Sequence, residues 1–159
     1  MSLPNRFSAY FLISFFLVSL ALTSCEEDCR SNNSNLMDVA FYDSLHVLQK
    51  INVDTIIAFG VDTAFYRFSA ENAEYQLPLS YEVDTASFVF KTFLAADSAV
   101  TFSDTLKVKY LITPNLKGTE CGFDIKLHRL EVVSHTFDSV TVVNGHISTD
   151  PYVNVEIYY

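Results

Sequence analysis

Strict alternation of apolar and polar residues is the feature that most constrains the fold of this chain. Three stretches show it most clearly, at residues 106–110, 123–127 and 153–157. Successive side chains of a β-strand point to opposite faces of a sheet, so this pattern is typical of strands with one buried face. No window of helical length carries an apolar stripe with a 3.6-residue period. The sequence therefore predicts an all-β protein.

Further segments have the apolar, β-branched composition of strands, at 37–42, 45–48, 55–61, 64–68, 75–79, 87–94 and 139–143. Asn144-Gly145 predicts a hairpin, and residues 114–118 predict another turn. Pro78 predicts an edge or bulged position for its strand. Many short strands at close spacing predict an antiparallel two-sheet sandwich, immunoglobulin-like or related, of about seven to nine strands. A small β-barrel is the alternative, because periodicity does not distinguish the two.

The N-terminal region has the composition of an export signal. Arg6 precedes an apolar run from Ala9 to Leu22, and small residues then lead to Cys25. A retained transmembrane helix is the alternative interpretation. The run of 14 residues would span about 21 Å as a helix, against about 30 Å of bilayer hydrocarbon. The sequence therefore favours a cleaved signal.

The residues Leu22-Thr23-Ser24-Cys25 resemble the lipobox of bacterial lipoproteins. The resemblance implies that Cys25 is acylated and becomes the first residue of the mature protein. The predicted organisation is a signal peptide at 1–24, an acylated cysteine with a polar tether at 25–35, and a single β-sandwich domain at 36–159.

Charge and cysteine content constrain the partners and the compartment. The net charge is −9, and acidity without basic clusters argues against nucleic acid or anionic lipid headgroups as partners. With Cys25 assigned to lipid, Cys29 and Cys121 remain as an even pair in an oxidising compartment. We predict a disulfide between them; two unpaired buried thiols are the alternative.

The chain contains, in order, Cys29, Leu77-Pro78-Leu79-Ser80, Glu120-Cys121-Gly122-Phe123, Asp138-Ser139-Val140 and Ile157-Tyr158-Tyr159. Taken together, these short motifs resemble an uncharacterised family of small Bacteroidetes lipoproteins. The resemblance spans most of the mature chain and implies a cell-envelope location, a β-rich domain and the pairing of Cys29 with Cys121. It supplies neither an activity nor catalytic residues. Glu26-Glu27-Asp28 also resemble the acidic residues that follow the acylated cysteine in surface-exported lipoproteins of this type.

Motifs that carry chemistry are missing from the sequence. The four histidines have none of the spacings of zinc sites. There is no G-x-S-x-G elbow and no glycine-rich loop for phosphate. We therefore expect no catalytic residues, no cofactor, no metal and no enzymatic activity.

Asp followed by Ser or Thr is a recurring dipeptide in this chain. Seven of the 11 aspartates have Ser or Thr as the next residue. Asp forms Asx-turns and Ser or Thr begins a β-run, so the pattern predicts junctions where loops enter strands. The triplet Asp-Ser/Thr-apolar also resembles the O-glycosylation acceptor of exported Bacteroidetes proteins. The candidate acceptors are Ser44, Thr55, Thr63, Thr85, Ser98, Thr105 and Ser139.

The expected function is a non-catalytic binding or assembly role at the outer membrane, with the domain at the cell surface or facing the periplasm. The expected partners are the membrane, through the N-terminal lipid, and a protein or glycan. A structural subunit that exchanges a strand is the alternative, for which residues 153–159 are long enough; a cell-envelope enzyme is a further one. Stacking faces for a ligand are available on Tyr81, Tyr110, Tyr152, Tyr158 and Tyr159.

Overall fold

The computed structural model describes Cys29 and residues 32–59, 65–67, 71–93, 101–118, 121–150 and 152–159. The chain divides into two compact units, Met1–Arg30 and Ser31–Tyr159. All described strands belong to the second unit. They number eleven, and the described residues contain no helix, which confirms the all-β prediction.

In chain order the strands are β1 (Leu36–Tyr42), β2 (Ile51–Phe59), β3 (Phe65–Arg67), β4 (Glu71–Asn72), β5 (Glu74–Pro78), β6 (Thr85–Phe93), β7 (Thr101–Gly118), β8 (Gly122–His135), β9 (Ser139–Val142), β10 (His146–Ile147) and β11 (Val155–Tyr158). Three of them, β3, β4 and β10, have only two or three residues. β3 lies within the predicted segment 64–68, whereas β4 and β10, with two residues each, carry no measurable alternation and are not predicted from the sequence.

The smaller sheet has four strands in the order β5-β1-β11-β9. β1 and β11 are parallel, with Tyr42 opposite Tyr158, and the other two pairs are antiparallel. The C-terminal strand β11 is therefore paired on both sides within its own sheet. Pro78 lies in β5 at the edge of this sheet, as predicted for a residue that has no N–H to donate.

The larger sheet has seven strands. Six follow the order β10-β8-β7-β6-β2-β3, and β4 also pairs with β2. All these pairs are antiparallel. One of the two sheets curls into a half-barrel. The two sheets together fit the predicted sandwich or small barrel.

The core is formed by inward-facing side chains of both sheets, and its centre is aromatic. Around Phe41 lie the rings of Tyr75, Phe90, Phe137 and Tyr159, with centroid distances of 5.7 to 6.1 Å. Three of these four contacts are edge-on, the arrangement that the ring quadrupole favours. Phe41 lies on β1 and Phe90 on β6, so the cluster joins the two sheets.

A β-bulge in β8 explains why two residues at an odd spacing both face the core. In β8, Leu127 and Leu130 are both buried although they are three residues apart, a spacing that would put them on opposite faces of a regular strand. The β7–β8 register shifts between them, and Arg129 has φ +54°. An extra residue at this point returns Leu130 to the core face.

Two turn predictions are wrong. Asn144-Gly145 connects β9 of the smaller sheet to β10 of the larger sheet, so it is a crossing between sheets and not a hairpin. Residues 114–118 continue β7 and pair with β8. β6 begins at Thr85, which lies opposite Lys109, so β6 does not extend alongside residues 114–118. Among the described residues this part of β7 therefore has β8 as its single partner strand, and Pro114 is tolerated because one side of β7 forms no ladder there.

The prediction of a strand at 45–48 is also wrong, because these residues form an exposed turn. The Asp43 carboxylate Oδ1 accepts hydrogen bonds from the N–H groups of Leu45 and Val47, at 2.8 and 2.9 Å. Those two donors would otherwise enter a ladder. The Asp43 side chain therefore stabilises an Asx-type turn at residues that the apolar composition predicts to be a strand.

Candidate binding surface

The outer face of the smaller sheet carries a group of aromatic and acidic side chains. Val39 and Phe41 of β1 are fully buried, so alternation directs Tyr42 to the opposite face. Five residues of β1, β5, β11 and the turn after β1 form what we call the acidic tyrosine surface: Tyr42, His46, Glu74, Glu156 and Tyr158.

The two tyrosines lie side by side. Tyr42 and Tyr158 are register partners on β1 and β11, with ring centroids 5.8 Å apart and an interplanar angle of 32°. His46 packs edge-on against the Tyr158 ring at 5.1 Å, and its Nδ1 lies 3.1 Å from the Tyr158 hydroxyl. His46 is held in place by the Asp43 turn, where its own N–H donates to the Asp43 carbonyl at 3.0 Å.

Carboxylates surround this aromatic pair. The Tyr158 hydroxyl donates to Glu156 Oε2 at 2.7 Å, and this bond is the main cause of a raised pKa for Tyr158. Burial raises the pKa of Tyr42, and the charges of Glu156 and Glu74 raise it further. Both phenols therefore stay protonated at neutral pH, in a region of negative potential.

Glu74 and Glu156 lie on either side of one small residue. Both are register partners of Ala40, Glu74 from β5 and Glu156 from β11. With strands about 4.8 Å apart, the two Cα atoms are about 10 Å apart. Two like charges at this separation produce a negative potential on this face of the sheet, which favours a cationic ligand at the surface.

A shallow cavity of about 170 Å³ adjoins the surface along β1 and β5. It adds one more carboxylate, that of Asp38, and an exposed phenol from Tyr152. The lining residues are Asp38, Val39, Glu74, Gln76, Tyr152 and Val153.

Charge is distributed unequally between the two sheets. The four strands of the smaller sheet contain three acidic residues, Asp38, Glu74 and Glu156, and within these described strands there is no Lys or Arg. The strands of the larger sheet contain seven Lys and Arg residues. A depression on that sheet, about 270 Å³ in volume, is lined by both signs of charge, and its Lys109 already pairs with Asp84 at 4.0 Å. The described strands of the smaller sheet therefore carry charge of a single sign, which is negative.

The DUF6452 family, a family of unknown function, matches residues 53–159, more than half of the chain. The chain belongs to the DUF6452 family. Neither the curated proteins nor the solved structures contain a match. The DUF6452 region includes Glu74, Glu156 and Tyr158, whereas Tyr42 and His46 precede it.

The DUF6452 chain has two described cysteines, Cys29 and Cys121, and both are disulfide-bonded. Cys25, the predicted lipidation site, lies outside the described residues. None of the described residues form a helix long and apolar enough to cross a membrane. The same residues contain no group of three or more His, Cys, Asp or Glu side chains placed to hold a metal ion.

The Asp-Ser/Thr pairs of this DUF6452 protein are dispersed, and two of them, with Thr63 and Ser98, lie outside the described residues. Thr85 and Ser139 are the first residues of β6 and β9, as the loop-to-strand interpretation predicts. Thr55 and Thr105 lie within strands, and Ser44 lies in the turn after β1. Thr55 is 5% exposed and its hydroxyl donates to Asp54 at 2.7 Å, which disfavours it as an acceptor. Glycosylation at the exposed Ser44 and Ser139 stays a prediction.

The tyrosines proposed as stacking faces do not form one platform in the DUF6452 fold. Tyr110 is buried and bonds to the backbone of Ser80, and Tyr159 packs on Phe41. Tyr42, which the sequence analysis does not nominate, is the neighbour of Tyr158 instead. The alternation of 37–42 contains a signal for it, since Tyr42 shares the outward face with Asp38. The parallel pairing of β1 with β11 is what brings the two rings together.

Proposed function

We propose that this protein is a lipid-anchored lipoprotein of the bacterial outer membrane, of the Bacteroidetes type, with a non-catalytic binding role. The anchor is supported by Arg6, the apolar run that follows it and the lipobox-like Leu22-Thr23-Ser24-Cys25. Metabolic labelling with an alkyne fatty acid tests it. The wild-type protein takes up label, and Cys25→Ala takes up none and keeps its signal peptide. Label on Cys25→Ala would contradict the anchor.

For the binding role, we propose that the acidic tyrosine surface binds a polypeptide segment that carries Lys or Arg. The observation that carries this proposal is the sheet with three carboxylates and no basic residue in its described strands. Tyrosine rings attract cations through their faces, and Arg is the more frequent partner. Carboxylates that flank such rings add charge-assisted hydrogen bonds.

The geometry of the surface supports binding over catalysis. Its polar groups lie on the outer face of a sheet, and the phenol of Tyr158 is held protonated by Glu156, so it is a donor and not a base. Strand donation is less well supported, because β11 is paired on both sides. Its release would break two ladders and uncover the buried Val155 and Ile157.

Binding of a hexa-arginine peptide to the full-length protein tests the proposal. The double variant Glu74→Gln/Glu156→Gln should weaken binding at least tenfold. A control, Glu82→Gln/Glu131→Gln, removes the same charge at exposed positions elsewhere and should weaken binding by no more than about twofold, because distant exposed charges are screened.

Two outcomes would contradict the cationic partner. Equal weakening in both double variants would mean that the peptide responds only to net charge. Binding of a neutral oligosaccharide such as cellohexaose, with loss in Tyr42→Ala, would assign the surface to a glycan. A Tyr158→Phe variant separates packing from hydrogen bonding, because it keeps the ring and removes the bond to Glu156.

A further inference from the structure

An apolar pair is exposed at the end of the β7–β8 hairpin. Leu116 and Phe123 lie directly opposite each other across the two strands. Their exposed fractions are 60% and 76%, although paired apolar side chains normally face a core. We call Leu116, Lys117, Phe123 and Asp124 the hairpin end.

The first described residues of the domain lie against this hairpin end. Asn33 Nδ2 donates to Asp124 Oδ2 at 2.5 Å, and Asn33 also bridges to Ser148. The chain therefore enters the domain beside Asp124, the residue that follows Phe123 in β8. Cys121, which is disulfide-bonded, immediately precedes β8 in the same hairpin.

The predicted lipid site is close to this point along the chain. Cys25 precedes Asn33 by eight residues, and eight extended residues span at most about 28 Å. A lipid on Cys25 therefore keeps the hairpin end within about 28 Å of the bilayer surface.

The charge at the hairpin end is compensated. Lys117 Nζ lies 3.7 Å from Asp124 Oδ2, and both side chains are largely shielded from solvent. The carboxylate next to Phe123 thus has a cationic neighbour, which lowers the cost of bringing it to a lipid surface. Leu116 and Phe123 remain as the exposed groups.

We propose that the hairpin end contacts the bilayer that holds the lipid anchor, with Phe123 and Leu116 in its interfacial layer. This inference rests on the proposed acylation of Cys25. Apolar contacts that supplement an acyl chain give a second attachment, and stable membrane association generally needs two. Phe and Leu are among the side chains that interfacial segments bury at the boundary between headgroups and acyl chains.

Such a contact would orient the domain. β7 runs from the hairpin end back to Asp104, which accepts a hydrogen bond from the Tyr159 hydroxyl at 3.2 Å. The 14 residues from 104 to 118 span up to about 46 Å. Tyr159 follows Tyr158, so the acidic tyrosine surface lies at the end of the domain remote from the membrane, accessible to a partner.

The test uses tryptophan as a reporter, because the chain contains none. Full-length protein with Phe123→Trp or Leu116→Trp is purified from membranes and reconstituted in phosphatidylcholine vesicles, with or without bromine on the acyl chains. Leu45→Trp is the matched control, since Leu45 is 79% exposed in the turn after β1. We expect brominated lipid to quench Trp at 123 and 116 at least twofold more strongly than at 45, with emission shifted to the blue.

Flotation of the same samples separates the two proposals. Protein that floats with vesicles but shows equal quenching at positions 123 and 45 would overturn the hairpin contact and leave the anchor intact. Protein that does not float would overturn the lipid anchor and the hairpin contact together. Quenching at 123 and 116 that persists in high salt, with Leu45→Trp unquenched, supports an apolar contact.

Discussion

Asn154 and Asp38 exchange two hydrogen bonds. The Asp38 N–H donates to Asn154 Oδ1 at 2.9 Å, and the Asn154 N–H donates to the Asp38 carbonyl at 2.8 Å. Asn154 Nδ2 also donates to the carbonyls of Asn144 and His146, at 3.0 and 2.9 Å. One buried side chain thus ties β1 to the connection between β9 and β10, where the chain passes from one sheet to the other.

Asn154→Ala should therefore lower the free energy of unfolding by about 3 kcal/mol. The substitution removes three side-chain bonds, worth about 1 kcal/mol each, and leaves buried backbone groups without partners. Urea denaturation at pH 7 measures the change. Asn52→Ala, on an exposed residue of β2, is the control and should change stability by no more than about 0.5 kcal/mol. Equal losses in both variants would contradict the role given to Asn154.

A second buried bond pair fixes the loop after β5. The Tyr110 hydroxyl accepts from the Ser80 N–H at 2.9 Å and donates to the Ser80 carbonyl at 3.0 Å. Tyr110→Phe should cost about 2 kcal/mol, since both backbone groups would lose their partner in a buried site. Tyr152→Phe, at an exposed phenol, should be neutral. Thermal or urea unfolding that ranks the two variants in the opposite order would refute this assignment.

Raised tyrosine pKa values also predict the response to alkaline pH. Burial raises the pKa values of Tyr75, Tyr110 and Tyr159. The unfolded chain ionises near pH 10, so above that pH it releases protons that the folded protein still holds. Stability should be constant up to about pH 10 and then fall as pH rises through the folded pKa values.

Denaturant titrations at pH 8, 10 and 11 measure this decline. Tyr110→Phe should show a shallower loss between pH 10 and 11, because it has one phenol fewer to ionise on unfolding. A stability that stays level to pH 11 would mean that the phenols are not held protonated.

The fold is predictable from the sequence where alternation is regular. The stretches 106–110 and 37–42 are predicted as strands and are parts of β7 and β1. In each of them the large apolar side chains point to the same face of the strand, so the alternation is visible in the sequence. The bulges are not predictable in this way. Leu127 and Leu130 have a spacing that contradicts a regular strand, and only the partner strand and the positive φ of Arg129 resolve it.

The candidate surface is less predictable than the fold, because it depends on pairing. Tyr42 and Tyr158 are 116 positions apart in the sequence, and no local pattern relates them. Their contact follows from the parallel alignment of β1 with β11. Asn144-Gly145 fails as a hairpin signal for a similar reason, since the distant Asn154 binds the carbonyl of Asn144 and directs the chain to the other sheet.

Both described cysteines are disulfide-bonded, and we predict that Cys29 is linked to Cys121. Non-reducing peptide mapping should recover the two in one linked pair. Replacing both by Ser should cost about 2–5 kcal/mol, the usual range for a small secreted domain. Alkylation of both thiols in the unfolded, unreduced protein would contradict the bond.

If the acidic tyrosine surface recognises cationic groups, the rings of Tyr42 and Tyr158 should respond to them in tyrosine NMR. Full-length protein with ¹³C-labelled tyrosine rings is titrated with hexa-arginine peptide, with Tyr42→Phe and Tyr158→Phe used to assign the signals. We predict saturable chemical-shift changes in the ring signals of Tyr42 and Tyr158. Glu74→Gln/Glu156→Gln should abolish these changes, and the ring signal of Tyr81 should not change. Chemical-shift changes of similar size at Tyr81, or none at Tyr42 and Tyr158, would contradict the recognition of cationic groups by the acidic tyrosine surface.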